Sequence, residues 1–298
     1  MNETDWIQTY IAPLVNAPGA ADLRDDVALL STAELTIATM DTLVEGVHFL
    51  PADPIDTVGQ KLVRVNVSDI LAKGAMPAEA LLSIAWPKMR SEDEFEAFVL
   101  GLQRDLENFE VSLIGGDLVG TDGPLMLTLT MTGACIGEHP VRRSGGRPGQ
   151  VLWVSGEIGW GGLGLQAAQS GGDDALADRY RVPWVSGLET ADLVAKRATA
   201  SMDVSDGLFL DASRLATASR CGVRLDLDAV PLAKPTSELD DIFAQCSAGD
   251  DYQILLAAAP DTDVPGFAKI GELTESAGLS LHLKGQPVNP PSILGFEH

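Results

Sequence analysis

The sequence predicts an α/β chain in which helices and strands interleave across two domains. Three observations carry that expectation. Apolar, β-branched runs of strand length alternate with apolar stripes of helical period. The 298 residues suit one large or two ordinary domains. A glycine-rich stretch, Gly137 to Gly149, interrupts the pattern and holds the densest basic cluster, with Arg142, Arg143 and Arg147. The expected domains are therefore 1–137 and 138–298.

In the first half, residues 5 to about 15 carry the stripe Trp6, Ile7, Tyr10, Ile11, Leu14 of a short helix ended by Pro18-Gly19. Asp25-Asp26 then precedes an apolar run; like charges about 4 Å apart repel by about 4 kcal/mol at an effective dielectric near 20, so an inward-facing pair needs a cation. A strand through Leu35 and Ile37 is expected to end where Asp41 emerges. Gly46 lets the chain bend, and His48-Phe49 follow. Residues 54–72 read as a helix with Val58, Leu62 and Val65 on one side. Asn66, Ser68 and Asp69 stand where apolar residues belong, which suggests a function. A strand is expected over Ala80–Trp86. A helix follows over Ser91–Phe109, with Ser91 as cap and Glu94 at the capping-box position. Val111–Ile114 should be a short strand delivering Asp117 behind Gly115-Gly116, and Leu125–Ile136 a long one.

The second half opens with a strand over Val151–Ser155. The glycines at 159, 161 and 164 match GxGxxG, but the acid required about twenty residues later falls in Asp178–Pro183, which reads as a loop, so tight packing accounts for them better than a dinucleotide. A helix over about 188–200 leads to Asp203-Val204-Ser205-Asp206-Gly207, two carboxylates and a hydroxyl at a turn. The same letters also spell a plain turn and helix cap. A helix over Leu208–Ser219, a strand over Val223–Leu227, and Gly249-Asp250-Asp251-Tyr252 opening a strand over Gln253–Ala258 complete the pattern.

Composition narrows the function. The formal net charge of −23 opposes nucleic acid and anionic membranes as partners. No apolar run of transmembrane length occurs, and the acidic start lacks the basic and apolar regions of a signal peptide. Three widely spaced cysteines fit free thiols in a reducing cytosol, so the expected location is cytoplasmic. Acids recur at expected strand ends and turns without a Walker lysine, a nucleophile elbow or a histidine-rich metal motif. Hard oxygen donors of this kind select Mg²⁺, Mn²⁺ or Ca²⁺, and several such ions among carboxylates suit nucleotide phosphates and phosphoryl transfer. Arg143 in its flexible loop suits a phosphate.

These motifs together resemble the thiamine-monophosphate kinase family, in the superfamily of aminoimidazole ribonucleotide synthetase. The residues in question are Asp25-Asp26, Met40 to Phe49, Val65 to Asp69 with Gly74 to Pro77, Gly115-Gly116-Asp117, Arg143-Ser144-Gly145, Asp203 to Leu208, Gly249 to Tyr252 and Gly295 to His298. The resemblance implies two α/β domains, the N-terminal one binding ATP and Mg²⁺ and forming a homodimer through its sheet. It implies ATP-dependent phosphorylation of thiamine monophosphate to thiamine diphosphate without a protein nucleophile. Asp26, Thr39, Met40 (through its backbone), Asp41, Asp69, Asp117, Asp203 and Asp206 would hold Mg²⁺. Gly116, Asp117, Arg143 and Ser205 would meet ATP, while His48, Asp250 and Phe296 would meet the thiamine part.

Four positions depart from the family pattern: Arg24 stands for glycine, Lys73 for methionine, Leu118 for threonine, and Asp250 for the longer glutamate. The last bears on substrate identity most. The alternatives are a sister ATP-dependent enzyme acting on another acceptor and a non-catalytic nucleotide-binding protein of the same fold.

Overall fold

The computed structural model describes residues 6–15, 17 and 35–297. The chain forms two compact units, one of Met1–Ile70 and Met76–Cys135, the other of Leu71–Ala75 and Ile136–His298.

The first unit holds a four-stranded sheet in the order β1 (Thr36–Val44), β4 (Met126–Cys135), β2 (Ala75–Pro87), β3 (Ser112–Thr121). β1 and β4 run antiparallel; β2 and β3 run parallel. Alternation decides the faces: Leu127, Leu129 and Met131 are fully buried, while Met126 on the opposite face is 43% exposed. Two helices supply the core stripe: α1 (Ile55–Ala72) through Leu62, Val63 and Val67, and α2 (Glu92–Asn108) through Phe95, Phe98 and Leu102. The capping box of α2 forms as expected, Ser91 Oγ accepting from the Glu94 amide and Glu94 Oε2 from the Ser91 amide. Trp6, Tyr10, Trp86, Phe95 and Phe98 form an aromatic cluster of edge-to-face and tilted ring pairs.

Several expectations here are corrected. The first helix is a single π-type turn, Ile7–Ile11, followed by a 3-10 turn, Ala12–Leu14, because Pro13 lacks the amide a longer helix would use. Pro18-Gly19 lies outside the described residues. β2 starts at Ala75, not Ala80. Asp41 and Asp117 lie within their strands, not at the ends, paired with Leu129 and Ser83. Ladder hydrogen bonds on the backbone do not depend on the polarity of the side chains above them, so the strands continue.

The second unit is a seven-stranded sheet in the order β11 (Gln286–Val288), β10 (Leu279–Leu283), β7 (Gly222–Asp226), β9 (Ala268–Thr274), β5 (Val151–Val154), β8 (Gln253–Ala258), β6 (Ala200–Val204). β5 lies antiparallel to both β8 and β9, and β6 is antiparallel to β8. The helices are α3 (Trp160–Ser170), α4 (Asp174–Arg181), α5 (Thr190–Arg197), α6 (Leu208–Ala218) and α7 (Leu239–Cys246). Leu152, Val154, Val204, Phe209, Leu215, Val223, Leu225 and Leu255 are all at 0% exposure in one core. Each such side chain stabilises the fold by about 1.5–3 kcal/mol.

Residues 178–181 are helical, not a loop: Asp173 caps α4 by accepting from the Ala175 amide, and Ala177 and Tyr180 form its buried stripe. The helix expected over 188–200 stops at Arg197, and Ala200–Val204 is a strand buried throughout. Gly161 and Gly164 lie against the 249–250 backbone and Tyr180, in keeping with tight packing. The three cysteines are free. Among the described residues no helix is long and apolar enough to cross a membrane.

Candidate functional site

In the first unit the structure brings β1 and α1 together at a polar point. The Thr39 hydroxyl donates to Asp69 Oδ2 at 2.5 Å. Thr39 and Asp41 share the face of β1 that pairs with buried Met131 and Leu129, whereas Met40 points to the opposite face and is 65% exposed. Burial, and then the charge of Asp69, push the Asp41 carboxyl up from 3.8 to about 6. Two carboxylates and a hydroxyl in partly desolvated surroundings are a donor set for a hard cation, which would relieve the repulsion. Asn66 and Ser68 behind them are buried; the Asn66 amide donates to Leu62 O at 3.0 Å, and its Oδ1 has no partner among the described residues.

Asp117 does not join this pair within the unit. β1 and β3 are the two edges of the sheet, so their strands lie about 14 Å apart at the usual spacing. Asp117 is exposed, beside exposed Ser83. Gly116 packs flat: a Cβ there would stand 1.9 Å from the Leu82 carbonyl oxygen. His48 closes the turn after β1, its Nδ1 accepting from the Val44 amide at 3.0 Å and its carbonyl from the buried Lys61 ammonium at 3.0 Å. Glu45, which pattern reasoning passed over, anchors the same turn by accepting from Arg90 at 2.8 Å and the Leu125 amide at 3.0 Å. Asp25 and Asp26 lie outside the described residues. Among the described residues no three of His, Cys, Asp and Glu form a group able to hold an ion.

The second unit gathers its own set of residues around the end of β6. Asp203 is 4% exposed in the strand, and Ser205 and Asp206 form the turn into α6. The 249–252 segment docks on that turn, with the Asp250 amide donating to Ser205 O and the Tyr252 amide to Val204 O, both at 2.8 Å. From the other side the Phe296 amide donates to Asp206 O at 2.8 Å, with the Phe296 ring 46% exposed. Asp203, Ser205, Asp206, Asp250 and Phe296 are therefore neighbours. The Tyr252 hydroxyl donates to Asp250 Oδ1 at 2.9 Å and orients the shortened carboxylate.

Asp251 has a different role. It is buried and accepts from the Gly159 amide at 2.9 Å and the Gly161 amide at 3.1 Å, at the start of α3. Burial outweighs those bonds and pushes its carboxyl up to about 7. Arg143 is exposed, and its loop is clasped by Ser219, whose Oγ donates to Arg143 O at 2.7 Å and accepts from the Gly146 amide at 3.0 Å. Asp211, Arg214 and Ser219 escaped pattern reasoning. An acid in the first turn of α6 was the available signal for Asp211; nothing local marks Ser219.

Comparison with known proteins adds the following. The sequence matches the AIR synthase related protein family in two parts, the N-terminal domain over residues 24–135 and the C-terminal domain over residues 147–284. The thiamine-monophosphate kinase of Caulobacter vibrioides is 38% identical over 322 residues, covering 99% of this chain and 90% of the relative. Among solved structures, thiamine-monophosphate kinase from Stenotrophomonas maltophilia shares the fold at a TM-score of 0.78 and 30% identity, covering 89% of this chain and 91% of that one. AaThiL complexed with AMPPCP and TMP matches at a TM-score of 0.76 and 30% identity, over 86% of this chain and 85% of that one.

Proposed function

We infer that this chain, which belongs to the thiamine-monophosphate kinase family, transfers the γ-phosphoryl group of ATP to the phosphate of thiamine monophosphate, giving thiamine diphosphate and ADP. One observation carries the reading: the 38% identity runs through 99% of the chain, so both domains of a thiamine-monophosphate kinase are accounted for. A relative of the same fold that holds AMPPCP and TMP together supports ATP as co-substrate.

The chemistry asks for positioning and charge control. A phosphate oxygen of thiamine monophosphate attacks the γ-phosphorus in line, the bond to the β-phosphate oxygen breaks, and ADP departs. Both reactants are anionic and the protein is strongly acidic, so the approach requires cations. Magnesium, when bound, supplies that neutralisation. We assign Thr39, the Met40 backbone, Asp41, Asp69, Asp117, Asp203, Asp206 and Asp26 to hold it. The Thr39–Asp69 bond and the desolvated Asp41 beside it support the part of this set on β1 and α1.

Gly116, Asp117, Ser205 and Arg143 are assigned to ATP, Arg143 through its forked guanidinium. His48, Asp250 and Phe296 are assigned to the thiamine part; the exposed Phe296 ring suits stacking on a cationic heterocycle, and its place beside Asp250 supports the pairing. The open face of the first sheet, with Met40, Leu81, Val119 and Met126 all at least 40% exposed, supports a homodimer through that face. The acidic surface disfavours nucleic acid and anionic membranes, and the free thiols fit a cytoplasmic location.

Incubating the protein with thiamine monophosphate, ATP and MgCl₂ and separating the products tests the reading. Thiamine diphosphate should accumulate one for one with ADP. Its absence at saturating substrates would overturn the assignment.

A further inference from the structure

Asp211 and Arg214 lie on α6, just past the turn that carries Asp206 and outside the segment Asp203 to Leu208. Asp211 is at 0% exposure. Its Oδ2 accepts from the amides of Ser205 at 3.0 Å and Asp206 at 2.9 Å, which fixes the backbone from which the Asp206 carboxylate projects. Arg214 Nη1 donates to Asp211 Oδ1 at 3.0 Å and, with the same nitrogen, to Asp206 Oδ2. One guanidinium nitrogen therefore bridges a buried carboxylate and a partly open one.

The two halves of the bridge differ in exposure. The Asp211 side chain is at 0%, that of Asp206 at 20% and that of Arg214 at 38%. Stripping the counter-ion from a buried carboxylate leaves an uncompensated charge in low dielectric, which is strongly disfavoured. Parting a partly solvated pair is a small loss, because water or an ion takes the vacated place. Of the two contacts, the one between Arg214 and Asp206 is the less costly to part.

Resting on the reading of Asp206 as an ion ligand, we propose that Arg214 is an exchangeable counter-ion: it occupies the Asp206 carboxylate and yields it to a divalent cation while staying anchored to Asp211. Charge bookkeeping gives the exchange a use. Two carboxylates and one guanidinium leave the turn with one net negative charge, and adding a divalent ion turns that into one net positive charge. Arg214 then remains beside the ion as a donor for an arriving phosphate, and metal binding without nucleotide is held in check.

Mn²⁺ titration of the full nucleotide-free chain, followed by electron paramagnetic resonance of the free ion, tests this. Arg214→Gln should tighten the Mn²⁺ affinity roughly fivefold, the order expected for releasing one partly exposed ion pair. Arg214→Lys, which keeps the charge, should stay near the parent. Arg220→Gln, which removes an equal charge just beyond the other end of α6, should do the same. In an Asp206→Asn background the Arg214→Gln effect should vanish, which isolates the pair. The proposal is overturned if Arg214→Gln leaves the affinity unchanged or weaker, or if the tightening persists in the Asp206→Asn background. Asp206→Asn alone reports the underlying assignment. If it leaves Mn²⁺ affinity intact, Asp206 is not a ligand and the exchange falls with it, whereas the thiamine diphosphate assay judges the overall activity separately.

Discussion

The backbone amide of Phe296 donates to the carbonyl of Asp206 at 2.8 Å, which pins a segment near the end of the sequence to the turn after β6. Gly295 makes the contact possible, since a Cβ there would stand 2.4 Å from that same carbonyl oxygen and 2.7 Å from Leu210 Cβ. Gly295→Ala should therefore displace the tail and raise KM for thiamine monophosphate at least about fivefold, with a smaller change in KM for ATP. Phe296→Ala should do likewise without lowering Tm by more than a few degrees. Steady-state kinetics with each substrate varied would discard the assignment if KM for thiamine monophosphate stayed put.

Gly116 and Gly115 are adjacent, yet their substitution should differ sharply. A Cβ at Gly116 meets the Leu82 backbone at 1.9 Å, which no rotamer can relieve, while one at Gly115 meets only the flexible end of Leu81 at 3.2 Å. Gly116→Ala should lower stability by about 3 kcal/mol or more, and Gly115→Ala by under about 1 kcal/mol. Urea denaturation of both variants gives the comparison, and equal midpoints would contradict the β2–β3 register.

Asp41 links stability to pH. Its carboxyl stands at about 6 in the folded protein against an ordinary 3.8, so the folded state holds the proton more tightly. That contribution is complete below about pH 4 and is lost as pH rises through 6. Without divalent ions, the parent should lose about 2 kcal/mol relative to Asp41→Asn between pH 4 and pH 7.5. Parallel stability profiles of the two proteins would refute it.

Activity should respond to the same carboxylate. Asp41→Asn and Asp117→Asn each remove a charge from the proposed ion shell, and each should slow thiamine diphosphate formation by at least about a hundredfold. A loss of under tenfold for either would strike that residue from the set.

Asp251 should behave as a structural residue. Asp251→Ala leaves the Gly159 and Gly161 amides without their acceptor and should lower stability by about 3 kcal/mol, whereas Asp251→Asn keeps one acceptor oxygen and should cost less. Calorimetric melting distinguishes them. A neutral Asp251→Ala would mean that the start of α3 does not depend on this carboxylate.

Legibility varied with the reach of the signal. The capping box at Ser91 and Glu94 and the stripe Phe95, Phe98, Leu102 are local facts, and α2 formed as its letters predict. Short segments with little periodicity carry a weaker signal: the helix that takes in residues 178–181, expected as loop, shows two stripe residues, and Ala200–Val204 is too uniformly buried to alternate. For the candidate site, the acids were visible as residue types. Their partners were not, because Arg214 beneath Asp206 and Ser219 beneath Arg143 are met only after helix packing.

By itself the sequence determined the α/β class, the family, the acidic surface, and which carboxylates and glycines recur at polar turns, since these depend on composition, period and short motifs. Only the tertiary structure decided that Thr39 and Asp41 face α1 while Met40 faces away, that Asp117 lies on the far edge of their sheet, and that Asp250 and Phe296 meet the Asp206 turn. The physical reason is register: a one-residue shift in strand pairing turns every side chain to the other face, and that choice is made by the packed core as a whole.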